Sequence, residues 1–101
     1  MSGNVYADIG IPNPDEMVVK AGLVSQIEKI MRERNLTQAT VAQVTGIIPG
    51  RVSTILRGQF HDVSFERLID ALRSLGCDVD IVVHRNSTDG DSGTLAVLTV
   101  A

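Results

Sequence analysis

Tryptophan is missing from this chain, cysteine and tyrosine occur once each, and aromatic residues make up only 3% of the 101 positions. A core must therefore be filled by aliphatic side chains. Cys77 alone cannot close an internal disulfide, so stability has to come from packing, and the expected compartment is the reducing cytoplasm. No apolar run reaches the ~20 residues that a bilayer-spanning helix needs, and no N-terminal run joins basic residues to a continuous apolar stretch. A membrane role and a secretory leader are not expected. Positive charge is also short: 9 Lys and Arg against 12 Asp and Glu give a net charge of −3 and a pI near 5.2. That argues against salt-driven, sequence-blind binding to nucleic acid. It leaves room for a local basic face, because Lys20, Lys29, Arg32, Arg34, Arg51 and Arg57 all lie in the first 60 residues.

Catalytic patterns are missing as well. There is no carboxylate pair, nucleophile and base set or phosphate loop, so enzymatic activity is not expected. His61 and His84 fall on different elements without metal-ligand spacing, and "DGDSG" lacks the order of a calcium loop. Neither a metal nor another cofactor is expected.

What is present is helical period. Residues 1–12, "MSGNVYADIGIP", have none and read as an extended N-terminal arm. Residues 13–76 read as one domain of helices. Asn13, Pro14 and Glu16 form a capping pattern for a helix to Arg34, with Leu23, Val24, Ile27, Ile30 and Met31 as its buried stripe. Asn35 suits a left-handed cap. Thr37 caps a second, short helix that Gly46 ends, with Leu36 and Val41 spaced as a hydrophobic staple. A third runs from Pro49 to Gly58 with Val52, Ile55 and Leu56 inward. Ser64 caps a fourth, whose stripe is Phe65, Leu68, Ile69, Leu72 and Leu75, closed by Gly76.

Residues 36–58, "LTQATVAQVTGIIPGRVSTILRG", meet the three conditions of a helix-turn-helix: a short first helix, a glycine turn, and a second helix with an apolar underside. With Val52, Ile55 and Leu56 inward, Gly50, Thr54 and Arg57 point outward, and Arg51 and Ser53 flank them. These are the groove-facing candidates, since arginine forks onto guanine or phosphate and threonine can bond or touch a thymine methyl. Gly50 would let the helix N-terminus approach a phosphate. Gln38 and His61 are positioned for backbone phosphates. One oddity stands out: the reading helix opens on Ile48, Pro49 and Gly50, which supply no polar side chain.

This stretch resembles the Cro/repressor-type (XRE) helix-turn-helix, in which "LTQ", a glycine turn and a closing "RG" recur at this spacing. Together with the "NVYADIGIPNPDE" arm, "RGQF" and "LGCDVDIVV", it is similar to HigA or Ata-type antitoxins encoded beside RelE/HigB-like toxins. The resemblance implies a mainly α, four-to-five-helix domain that represses its own operon and neutralises a toxin that cuts translated mRNA. It implies Gln38, Arg51, Ser53, Thr54 and Arg57 as DNA contacts. A stand-alone phage-type regulator, or an interaction adaptor whose DNA binding is lost, fits the same pattern.

Residues 77–101 change to a two-residue period, Cys77, Val79, Ile81 and Val83 alternating with Asp78, Asp80, Val82 and His84, and "TLAVLTVA" is a second strand candidate. The expectation is a C-terminal β-hairpin with Cys77 an inert buried thiol. Val82, Leu98 and Val100 leave apolar groups that one helical layer cannot cover. A sheet shared across a homodimer would cover them and present two reading helices to a palindromic operator; a toxin on the same edge is the alternative.

Overall fold

A computed structural model describes residues 14–85 and 92–100 of the chain. The N-terminal arm, the Asn13 cap and the loop at 86–91 lie outside the described residues. Among the described residues four helices occur: α1 (Pro14–Arg34), α2 (Gln38–Thr45), α3 (Pro49–Leu56) and α4 (Phe65–Ser74). Their starts follow from side-chain chemistry. Thr37 accepts from the Thr40 N–H at 3.1 Å to begin α2, and Ser64 accepts from the Arg67 N–H at 3.1 Å to begin α4, each cap worth about 1 kcal/mol. Three helices end alike, on a left-handed residue followed by a bond back into the last turn: Asn35 with Leu36 N–H to Met31 O, Gly58 with Gln59 N–H to Thr54 O, and Gly76 with Cys77 N–H to Leu72 O.

Packing joins α1 to α4 and α3, and α2 to α3 and α4, around one aliphatic core. The expected α1 stripe is buried at Leu23, Val24, Ile27 and Ile30, with Met31 packed at its edge. In α4, Leu68 is wholly buried, Leu72 nearly so, and Phe65 and Ile69 partly, while Leu75 is buried at its C-cap. Phe60 and Val63, in the connector before α4, also reach the core. Two arginines fasten helix ends: Arg34 donates to Leu75 O at 2.8 Å beyond α4, and Arg67 to Gly46 O at 3.3 Å beyond α2. Cations at carbonyl-rich C-termini complement the helix dipole.

The C-terminal segment departs from expectation. Among the described residues there is no strand, so the β-hairpin is not formed in the single chain. Cys77 and Val79 are half-buried against the core, yet Ile81, Val82 and Val83 are exposed, as are Leu98 and Val100. The alternation therefore holds only for the first turn of tail that can reach the helices. A two-stranded hairpin is marginal in water unless a third strand or an apolar surface covers a face, and α1 offers room for only part of it. Val97 is the residue of the later segment that packs on the core. It sits over Gly22, where an added Cβ would come 2.6 Å from Val97 Cγ1.

Candidate nucleic-acid interface

The turn between α2 and α3 is built from its residues outward. Gly46 takes φ 77°, a left-handed conformation that costs glycine little, and its N–H bonds Ala42 O at 2.9 Å. Thr45 Oγ1 donates to Val41 O at 2.7 Å and accepts from the Ile47 N–H at 3.3 Å. Ile47 then drops into the core, which swings the chain so that α3 starts at Pro49. Val52 and Ile55 face inward and Leu56 packs at the margin, as the helical spacing predicts. The outer side of α3 is left to solvent.

On that outer side Gly50 is exposed, and a Cβ built there meets open space. Pro49 has no N–H, and the N–H groups of Arg51 and Val52 both go to Ile48 O at 2.9 and 3.0 Å. Gly50 therefore carries the one unbonded backbone donor within the first turn of α3 itself. Arg57, the C-cap residue, is exposed. Ser53 is half-buried, and Gln38 is exposed at the first position of α2.

Arg51 and Thr54 differ from the expectation of free outward groups. Arg51 Nη1 donates to Thr54 Oγ1 at 3.2 Å and to Gln59 O at 3.3 Å, while Nη2 pairs with Asp62. Thr54 Oγ1 also donates to Arg51 O at 3.0 Å. Both are half-buried. The guanidinium thus straps the 59–62 loop to α3, and the bond from Arg51 holds the Asp62 carboxyl below its ordinary pKa. Since Asp62 is solvent-exposed, the ion pair is screened. It sets geometry more than stability.

Two further residues, Lys20 and Asp62, anchor the loop after α3. Lys20, buried on α1, donates from Nζ to His61 O at 2.9 Å and lies 5.5 Å from the Phe65 ring centroid. Its position three and four residues before Leu23 and Val24 places it on the α1 stripe, a signal legible in the spacing. Asp62 gave no such signal, because it stands eleven positions beyond Arg51, across helix and loop. His61 is held through its backbone and keeps its ring at the exposed surface.

A short helix, a glycine turn and a second helix with an apolar underside and an open outer face form a helix-turn-helix. A protein family described as a helix-turn-helix domain matches residues 5–84. The chain belongs to this family. Comparison with curated proteins and with solved structures found no match. Helix-turn-helix domains that bind DNA lay the second helix of the motif in the major groove, and in this chain that helix is α3. No described helix is long and apolar enough to cross a membrane. Among the described residues no group of His, Cys, Asp and Glu is arranged to hold a metal ion.

Proposed function

We propose that the protein is a sequence-specific transcriptional repressor that binds a palindromic operator as a homodimer and serves as the antitoxin of a RelE/HigB-like toxin in the cytoplasm. The observation that carries the DNA half is the exposed outer side of α3, with Gly50 open and Arg57 free of the core, on a helix whose underside is locked into the domain. Gln38, Gly50, Arg51, Ser53, Thr54, Arg57 and His61 are the proposed contacts. Their roles divide. Arg57 and Gln38 reach phosphate or base edge directly, while Arg51, with three donors occupied, contributes mainly by holding its loop. Few cations stand free on this face, so the salt dependence is shallow, a log-log slope of about −2 per protomer for two phosphates neutralised.

The homodimer is supported by Val82, Leu98 and Val100, apolar and uncovered in the single chain. The antitoxin role rests on the resemblance of "RGQF" and "LGCDVDIVV", and of the arm, to HigA and Ata-type proteins.

Fluorescence anisotropy with a labelled fragment of the protein's own upstream DNA tests the first half, with scrambled duplex as competitor and Arg57→Ala beside the parent. Preference for the upstream fragment that Arg57→Ala reduces is the expected result. Equal binding to both duplexes would remove the repressor reading. Co-expression with the neighbouring small open reading frame tests the second, through co-purification and rescue of growth.

A further inference from the structure

The first turn of α3 breaks a local rule that α2 and α4 keep. Where α2 and α4 begin on Thr37 and Ser64, each accepting a backbone bond, α3 begins on Ile48, which makes no side-chain cap bond. Isoleucine is among the poorest residues at an N-cap, and the loss against a polar cap is about a factor of five in local stability, from ~1 kcal/mol. Nor does Ile48 recover anything by burial: it is 74% exposed, although its neighbour Ile47 is 7% exposed. A large aliphatic side chain that neither caps nor packs, at the groove-facing end of the reading helix, is the kind of local inconsistency that marks function.

We infer that Ile48 reads thymine methyl groups in the major groove, so that the opening turn of α3 selects T·A pairs by apolar contact. This deepens the proposed DNA-reading role and rests on it. The C5-methyl of thymine is the one apolar group that the bases present in the major groove, and an aliphatic side chain is its natural complement. The surroundings fit that occupant. Pro49 offers no donor that would need a partner, and Gly50 leaves open space beside Ile48 for a base edge to approach. The polar group that would otherwise dominate readout here, the Arg51 guanidinium, is drawn back onto Thr54, Gln59 O and Asp62. The surface is continuous with the DNA face of the helix-turn-helix, so no separate partner is needed to explain the exposed isoleucine.

The test starts from duplexes selected by the full-length protein out of a random library, followed by replacement of each thymine with deoxyuridine, which removes only the methyl. Dissociation constants are measured for the parent, Ile48→Ala and Ile48→Val, with circular dichroism to verify that the variants fold. At one thymine per half-site, deoxyuridine weakens the parent about four-fold, the worth of one buried methyl-sized group. Ile48→Ala weakens binding to the thymine duplex by a similar factor and abolishes the deoxyuridine effect, while Ile48→Val keeps it. Indifference of the parent to every replacement, or an undiminished deoxyuridine effect in Ile48→Ala, overturns the inference and leaves the DNA-reading role standing. Failure of the selection to yield any preferred sequence overturns both.

Discussion

The helices and the C-terminal segment carry equally regular hydrophobic patterns, yet only the helices have their pattern answered within the chain. In α1 to α4 every inward stripe meets another stripe, and the core residues Leu23, Val24, Ile27, Val41, Val52, Ile55, Leu68 and Leu72 are all buried. In the tail Cys77 and Val79 pack, while Ile81 to Val83, Leu98 and Val100 face solvent. Period alone therefore specifies which side chains want cover. Whether they obtain it depends on a surface being within reach, and of the described tail the core receives Cys77, Val79 and Val97.

The difference can be broken most severely at Leu68. Replacing this wholly buried side chain with alanine leaves a cavity in the middle of the helical core and is expected to cost about 3 kcal/mol. Val82→Ala, in the tail, is expected to change the stability of the single chain by less than about 0.5 kcal/mol. Urea denaturation of the two variants measures both. A comparable loss at Val82 would mean that the tail belongs to the core after all.

A smaller effect separates cap from tail. Ser64→Ala removes the bond to the Arg67 N–H and is expected to lower stability by about 1 kcal/mol in the same denaturation experiment. Gly22→Ala sharpens the comparison from the other side. The methyl improves helix propensity in α1 by about 0.5–1 kcal/mol but would meet Val97 Cγ1 at 2.6 Å. The expected result is a domain no less stable whose residues 92–100 are cut faster in limited proteolysis. Loss of overall stability would show that the Val97 contact holds more than its own segment.

The smallest effect is one of pH. Hydrogen bonding to Arg51 lowers the Asp62 pKa in the folded protein, so the pair contributes fully above the ordinary carboxylate range and is lost as pH falls through the lowered value. Titration of the Asp62 side chain by NMR should give a midpoint below the ordinary aspartate value. In Arg51→Ala that midpoint is expected to rise toward the ordinary value. DNA binding between pH 6 and 8 should not respond to this group.

Much of the helical body was legible because its signals are local. Thr37 and Ser64 cap where the pattern places them, Asn35, Gly46 and Gly76 take left-handed conformations at the expected helix ends, and the apolar stripes bury. The tail was misread because alternation reports side-chain preference and carries no information about whether a covering surface exists. At the candidate site, Gly50 and Arg57 lie where the helical wheel puts them. The bonds between Arg51 and Thr54 lie within one turn of α3, but the reach of Arg51 to Gln59 O and Asp62 could not be read, since it depends on the loop at 59–62 folding back across the helix. Ile48 was visible from the start as an apolar residue out of place. Its exposure is what turns that oddity into a testable role.

The most direct measurement is a titration of isotope-labelled protein with a selected duplex, followed by amide chemical shifts. Changes concentrated at Gln38 and at Ile48 to Arg57, with residues 92–100 little affected, are the expected result for a domain that reads DNA with the first turn and outer side of α3. Changes centred on the tail, with α3 silent, would contradict it.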